Sequence, residues 1–349
     1  MKDIFDRESE IKLLKNSLDS PLIVIIGLRR TGKTSLVKSV LNDEKRTYIF
    51  LDMRRFENKD YIVYKDFVQT LEREINRVVR KNRDLLSHFH IKGVQIMGVS
   101  VNFSWGKDKA ELSDIFSSLN EWAEEKGEVI HIVIDEAQEL IKLKGYSVLP
   151  SIAYAFDNLK NLNFIITGSE VRVKDKFLKF QDEDSPLFGR AHIEINVNPF
   201  DKQTAIEFLK EGFKEEGINF GDEERVFDVL GGNPGWLTYF GYIYTKTRDE
   251  ERAIAETKNY AKRLLSKELC NFLKGRDKRR YLKVIETCKE GCSWKEIKNS
   301  LEALEGREIN DGTVHDVLNN LLEYSFLIKD GEKYVIADKL LGEIKELKC

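Results

Sequence analysis

The sequence lacks any long apolar run, although it has 349 residues and 41% of them are hydrophobic. A helix needs about 20 consecutive apolar residues to cross a membrane, and no run here approaches that length. The first ten residues, MKDIFDRESE, are too acidic and too interrupted for a secretory signal. We therefore expect no membrane-spanning segment and a cytoplasmic protein.

The chain also lacks an excess of charge of either sign. Charged residues make up 34% of the chain, yet the formal net charge is only −3. A global basic field that would attract nucleic acid is thereby excluded, whereas local basic patches remain possible. The low methionine count, with many Lys and Glu, is typical of proteins from thermophiles.

The chain has only four cysteines, all of them late in the sequence. Cys288 and Cys292 have the spacing of a metal-ligand pair, but no second pair follows nearby. We therefore predict buried or free thiols, and no zinc site.

Five apolar runs rich in β-branched residues alternate with helical patterns, which predicts a parallel sheet joined by helical crossovers. The interval between the second and third runs contains a helix near 60–83, a hairpin insert at about 91–106 and a helix near 110–126. We assign residues 1–200 to one α/β domain. The five runs are 22–26, 47–51, 129–134, 163–167 and 192–197.

Strand patterns stop after residue 200, and only helical patterns follow as far as about residue 272. We predict a helical lid subdomain over 201–272. Residues 273–349 contain three further helical patterns and then two short strands around Asp330-Gly331, a hairpin turn. Three helices followed by a hairpin predict a winged-helix domain.

The segment LIVIIGLRRTGKTSLVKSV, residues 22–40, has the glycine and lysine spacing of a phosphate-binding loop between a strand and a helix. Backbone N–H groups there can surround a phosphate at the helix N-terminus. The lysine can bridge the β- and γ-phosphates, and the hydroxyl that follows can bind Mg²⁺. Arg30, with Arg29, can reach a phosphate or an acidic neighbour, or simply face solvent. The candidate nucleotide ligands are Gly27, Arg30, Thr31, Gly32, Lys33, Thr34 and Ser35.

The segment HIVIDEAQEL places two carboxylates at the carboxyl end of the third strand, where ligands bind in open α/β sheets. Alone, such a pair could be only a helix cap. About a hundred residues after a phosphate-binding loop, we predict that Asp135 holds Mg²⁺ together with Thr34. Glu136 would then orient or deprotonate the attacking water, which favours hydrolysis over transfer to a bound substrate.

Two further candidates are polar residues beside the last two strands. Thr167 ends the fourth strand, where it could hold the water or the γ-phosphate, or could only cap a turn. Arg190 precedes the fifth strand. It could stabilise the transferring phosphate, in cis or from a neighbouring subunit, or form a surface ion pair.

Taken together, GLRRTGKT, HIVIDEAQEL, SPLFGR and GGNP resemble motifs of the archaeal ATPase family, in the STAND branch of AAA+-related P-loop ATPases. The resemblance implies a three-layer α/β/α core with strand order 5-1-4-3-2, a helical lid and a winged helix. It also implies binding and hydrolysis of ATP with Mg²⁺, ADP as product, and a switch driven by the nucleotide. Phe5 and Arg7 become candidates for the adenine and ribose side. Pro234 stands where many relatives have a phosphate-sensing arginine, so we expect slow turnover.

The predicted third helix of the winged helix, NDGTVHDVLNNLLEYS, carries acidic residues and neither Lys nor Arg. A helix that reads DNA normally brings cations to the phosphates, so this domain is expected to contact the ATPase core or a protein partner. Basic residues cluster on the first helix instead, including Arg279 and Arg280. A DNA-binding ATPase of the origin-recognition-like or mobile-element type therefore remains the alternative. A small-molecule P-loop kinase is a third possibility.

Overall fold

The computed structural model describes residues 4–104, 109–344, 347 and 349. The chain forms two compact units. The first comprises the residues up to Gly27 together with Lys33–Val197, and the second comprises Leu28–Gly32 together with Asn198–Cys349. The chain thus passes from the first unit into the second and back within the predicted phosphate-binding loop.

The first unit is built on a five-stranded parallel sheet in the order β2-β6-β8-β1-β9. Numbering these five strands along the chain gives 5-1-4-3-2, so the predicted order is confirmed. The strands of this unit are β1 (Leu22–Ile26), β2 (Thr47–Asp52), β3 (Ile62–Val63), β4 (Val94–Met97), β5 (Ser100–Phe103), β6 (Ile130–Asp135), β7 (Leu143–Lys144), β8 (Leu162–Gly168) and β9 (Ile193–Asn196).

Helices cover both faces of this sheet. Leu22, Val24 and Ile26 of β1 belong to the larger apolar core, whereas Ile23 and Ile25 point to the opposite face. All five side chains are buried because each face of a parallel sheet packs against helices. The helices are α1 (Glu8–Ser17), α2 (Lys33–Asp43), α3 (Tyr64–Lys81), α4 (Leu112–Lys126) and α5 (Leu149–Asn158).

The long connection from β2 to β6 contains the predicted hairpin, in which β4 and β5 pair antiparallel. Residues 105 and 106, which the prediction included in this insert, lie outside the described residues. Two short 3₁₀ turns, at Met53–Phe56 and Ala137–Lys142, follow β2 and β6 directly. Both turns therefore begin at the carboxyl edge of the sheet, where we expected the site.

The second unit is helical and ends in a winged helix. Its strands β10 (Leu327–Asp330) and β11 (Lys333–Ile336) form the expected antiparallel hairpin. No helix in the described part of the chain is both long enough and apolar enough to span a bilayer. The helices are α6 (Lys202–Glu215), α7 (Glu223–Leu230), α8 (Pro234–Thr247), α9 (Glu250–Phe272), α10 (Lys278–Thr287), α11 (Trp294–Glu305) and α12 (Asp311–Glu323).

The prediction of buried or free thiols is wrong, because all four cysteines form disulfides. Cys270 pairs with Cys349 with 5.4 Å between their Cα atoms, and Cys288 pairs with Cys292 at 4.7 Å. Spacing along the chain could not show the first pair, since 79 residues separate its partners. In the second pair, the turn after α10 brings together two residues whose spacing we had compared only with that of a metal site.

Candidate functional site

The structure brings two of the predicted residues, Thr34 and Thr167, together around a third, Asp135, the last residue of β6. Its carboxylate is fully buried. It accepts hydrogen bonds from the Thr34 hydroxyl at 2.9 and 3.1 Å and from the Thr167 hydroxyl at 2.5 Å. Burial raises the pKa of Asp135 above its usual value, and the nearby charge of Glu136 raises it further, while both threonine donors oppose the rise. The first turn of α2 and the ends of β6 and β8 therefore form one polar cluster.

Arg54 joins this cluster, and the sequence analysis did not find it. It lies in the 3₁₀ turn that follows β2, and its guanidinium nitrogen is 3.5 Å from Asp135 Oδ2. Asp52 fixes the guanidinium with two hydrogen bonds of 2.9 and 2.6 Å. A signal was available, since Arg54 lies two residues after β2, and the strand order implied by the family resemblance puts the carboxyl end of β2 beside that of β6.

Lys33 and Glu136 lie close to each other beside this cluster. The Lys33 ammonium is almost fully buried, donates to the Gly27 carbonyl at 2.9 Å and lies 3.6 Å from Glu136 Oε1. Gln138 donates to Glu136 Oε2 at 2.6 Å, which orients the carboxylate. The backbone N–H of Glu136 donates to the Thr167 hydroxyl at 3.2 Å.

Glu136 also adopts an unusual backbone conformation. Its φ is +55°, in the left-handed region that residues other than glycine rarely adopt. Such strain persists where the surrounding contacts hold it, and it concentrates at functional sites. The strained backbone and the Gln138 hydrogen bond together fix where this carboxylate points.

Gly168 is the last residue of β8 and lies against Gln138, so a side chain at this position would disturb the polar cluster. A Cβ at this position would overlap Gln138 Oε1 and a methyl group of Val173. We expect Gly168→Ala to lower the free energy of unfolding by about 1–3 kcal/mol, as overpacking does. Denaturant titration measures the change. The control is Gly212→Ala, an open position inside α6, which should instead gain about 0.5–1 kcal/mol. Equal effects of the two variants would contradict the overlap.

The central loop residues Leu28–Gly32 make their described contacts within the second unit. The Asn233 amide, which also caps α8, donates to the Arg29 carbonyl at 3.1 Å. The Arg30 guanidinium forms an ion pair with Glu268 of α9, and Arg29 lies 3.3 Å from the same carboxylate. Of the alternatives left open for the two arginines, the structure therefore shows the acidic neighbour.

Trp236 continues these contacts towards the C-terminal end of the chain. The Arg30 guanidinium lies 4.6 Å from the centroid of its ring, a cation–π distance. The indole N–H donates to Asp338, just after β11, at 2.8 Å. Desolvation raises the pKa of Asp338, while the Trp236 donor lowers it. Trp236 is buried, and it connects Arg30 to the segment that follows the winged-helix hairpin.

Arg190 lies away from this cluster. It precedes β9, and therefore stands at the amino edge of the parallel sheet, whereas Asp135 and Thr167 stand at the carboxyl edge. Its guanidinium pairs with Asp157 at 3.0 and 2.5 Å and with the Pro186 carbonyl. A role in cis at the acidic cluster does not fit this position. The structure shows the ion pair that was left open as an alternative, and a role in a neighbouring subunit stays a prediction.

The remaining predicted residues lie at helix starts. Arg7 is nearly buried, forms the N-cap of α1 and pairs with Glu10 at 3.0 Å, while Phe5 just before it is partly buried. Ser35 is exposed in the first turn of α2. Pro234 is the first residue of α8. Their roles towards a nucleotide stay predictions.

The donor set of this cluster suits Mg²⁺ that is shared with a phosphate. Among the described residues, no group of three or more His, Cys, Asp or Glu side chains forms a metal cage. Mg²⁺ is typically bound by one or two protein oxygens, substrate phosphates and water, and not by a cage made only of protein. Thr34 and Asp135 supply such a pair of oxygens, with their side chains already in contact.

The fold and this cluster define a P-loop nucleoside triphosphatase. Residues 4–240 match a family described as an ATPase domain predominantly from Archaea, and residues 276–337 match the C-terminal winged helix-turn-helix domain of MCM proteins. The chain therefore belongs to this archaeal ATPase family.

Three similar proteins span most of the chain. The solved structure of a Walker-type ATPase of Pyrococcus abyssi is 33% identical, with a TM-score of 0.83, and the match covers 98% of this chain and 96% of that one. An ATP-binding protein of Methanocaldococcus jannaschii is 24% identical over 321 residues, which cover 82% of this chain and 85% of the relative. The ORC2 protein of Aeropyrum pernix is 12% identical with a TM-score of 0.55, covering 97% and 92% of the two chains, and it shares the fold alone.

Proposed function

We propose that this protein binds and slowly hydrolyses ATP with Mg²⁺, and that the bound nucleotide switches the arrangement of its helical and winged-helix parts. The proposal assigns the phosphates to the backbone N–H groups of residues 30–34. Lys33 then exchanges the Gly27 carbonyl for phosphate oxygens. The contact that Lys33 makes in the structure supports this exchange, because a nearly buried ammonium needs an acceptor before ATP arrives.

The chain divides the hydrolytic work among the residues around Asp135. Mg²⁺, when bound, would neutralise charge on the phosphates, with Thr34 and Asp135 as its protein ligands. Glu136 orients and deprotonates the attacking water, and Gln138 holds its carboxylate in position. Thr167 fixes the side chain of Asp135 and the backbone of Glu136 at the same time. Because Arg190 lies at the other edge of the sheet, we assign it to a second subunit or to structure.

The contacts of Arg30 are the observation that supports a nucleotide-driven switch. A phosphate in the loop would compete with Glu268 for the Arg30 guanidinium, which also lies against Trp236. Trp236 in turn bonds Asp338, beyond the winged-helix hairpin. Nucleotide exchange would therefore change contacts that run from the loop to the end of the winged helix. A ligand shifts such an equilibrium only by its differential affinity for the two arrangements.

Tryptophan fluorescence tests the switch. We expect ATP with Mg²⁺ to change the emission of the wild-type protein, because the Arg30 cation moves relative to the Trp236 ring. The change should disappear in Trp236→Phe and persist in Trp294→Phe, a matched substitution in α11. Glu268→Gln should tighten ATP binding several-fold in calorimetry, since it weakens the competitor for Arg30.

Phosphate release from ATP, measured in parallel, separates the two parts of the proposal. Hydrolysis without any Trp236 signal would remove the switch and leave the ATPase. Phosphate release that appears only with a small-molecule acceptor would indicate the kinase alternative. The absence of both nucleotide binding and phosphate release would overturn the proposal as a whole.

A further inference from the structure

A basic face lies on α3, in the first unit, outside the nucleotide cluster. Residues 55–83 contain eight Lys or Arg and five Asp or Glu, a net charge of +3 in a chain whose total is −3. The low net charge of the chain left room for such local patches, and the sequence pattern had pointed to one only in the winged helix. The structure places this charge excess on the turn after β2 and on the helix that follows.

The exposed stripe of α3 carries no carboxylate. Residues three or four positions apart lie on one side of a helix, and a helix rises by about 6 Å over four residues. The stripe thus presents four cations and an amide over about 22 Å. Its exposed members are Lys65, Gln69, Arg73, Arg77 and Arg80.

The acidic residues of α3 are each hydrogen-bonded, and the only one that pairs with the stripe is shared by two arginines. Glu74 is buried, and Arg73 and Arg77 bond it at 3.1 and 2.5 Å, so this trio keeps one net positive charge. Glu72 accepts the backbone N–H of Phe103 at 2.7 Å. Asp66 pairs with Lys59 at 2.5 Å. The stripe therefore meets solvent as a cationic surface.

A polar pocket extends this surface at the start of the helix. It encloses about 280 Å³ and is lined by side chains that include Arg55, Lys59, Gln69 and Arg73, with Asp66 as its one carboxylate. Arg55 donates to Thr70 at 3.1 Å, which holds one guanidinium at the wall. Cations and amide donors around a small opening suit a phosphate group.

The third helix of the winged helix, α12, offers no comparable surface. Its exposed side chains include Asp311, His315 and Asp316, and this helix contains neither Lys nor Arg. Such a face repels a phosphate backbone. Of the exposed faces of α3 and α12, only that of α3 has the positive charge that binding of a polyanion requires.

We infer that α3 and the turn before it bind the phosphate backbone of DNA, without reading its sequence. This inference does not depend on the proposed switch. Contacts to phosphate carry no base information, so the affinity should be independent of sequence and should fall steeply with salt.

The test is fluorescence anisotropy of a labelled DNA duplex of arbitrary sequence with the full chain, at several salt concentrations. The double variant Arg77→Gln, Arg80→Gln removes two cations and leaves Arg73 to neutralise the buried Glu74. We expect weaker binding and a slope of log affinity against log salt that is smaller by about two, near 0.9 for each lost contact. The matched control, Arg279→Gln with Lys283→Gln on α10, should bind like the wild type.

Three results would overturn the inference. They are no DNA binding by the wild type even at low salt, an unchanged slope in the α3 variant, or a loss of binding that occurs only in the α10 control. Binding to anionic phosphatidylserine vesicles but not to DNA would assign the face to a membrane surface and would equally contradict it. Thermal unfolding of each variant separates a lost contact from a lost fold.

Discussion

Glu136→Gln is expected to lower the rate of ATP hydrolysis by about 100-fold or more while ATP still binds with nearly wild-type affinity. General-base catalysis contributes about 10²–10⁴-fold, and glutamine cannot accept the proton. The geometry should survive, because the glutamine carbonyl can still accept the Gln138 hydrogen bond seen at 2.6 Å. Phosphate release gives the rate, and calorimetry with ATP gives the affinity.

Glu170→Gln is the matched control for that experiment. Glu170 lies two residues beyond β8, and its side chain is exposed and paired with Lys174 at 3.0 Å. Removing this charge should leave hydrolysis unchanged, since exposed ion pairs contribute little. If Glu136→Gln hydrolysed ATP at the parental rate, the role proposed for Glu136 would be wrong. A parallel loss of ATP binding would instead indicate that the substitution disturbed Lys33.

The features that the sequence predicted well depend on short-range patterns. Apolar runs and the β1–loop–α2 spacing place Lys33 and Thr34 at a helix start and Asp135 at a strand end. In a parallel sheet, those ends meet at one edge, so the contact between Thr34 and Asp135 follows from the pattern and the strand order. Strand order itself came from the family resemblance, since hydrophobic periodicity does not say which strands are neighbours.

The features that the sequence missed depend on pairing between distant segments. Arg54 reaches Asp135 only because β2 and β6 are adjacent and pair Asp52 with Asp135 in register. The Trp236–Asp338 hydrogen bond joins residues 102 positions apart, and neither residue type signals the other. Arg190 was predicted as a site residue although it precedes the fifth strand, a position that places it at the amino edge of a parallel sheet.

Asp135→Asn is expected to abolish the Mg²⁺ dependence of ATP binding and yet to stabilise the metal-free protein. The substitution removes an oxygen anion from the proposed metal site. It also removes a fully buried charge whose desolvation is unfavourable without a cation, while an amide of the same shape can still bond Thr34 and Thr167. We expect a gain of about 0.5–2 kcal/mol in the free energy of unfolding, as for other substitutions that trade function for stability.

The size of this gain in the free energy of unfolding depends on what happens to Arg54 when Asp135 loses its charge. In the variant, the Arg54 guanidinium loses the Asp135 carboxylate at 3.5 Å but keeps its two hydrogen bonds to Asp52. Because the Arg54 side chain is half exposed, water still solvates its charge. Denaturant titration without metal, and calorimetry with ATP at several Mg²⁺ concentrations, measure the two effects. The surface control Asp43→Asn should change stability by no more than about 0.5 kcal/mol. A destabilised Asp135→Asn protein would show that the Arg54 contact outweighs the desolvation of Asp135, and a retained Mg²⁺ effect would exclude Asp135 as the ligand.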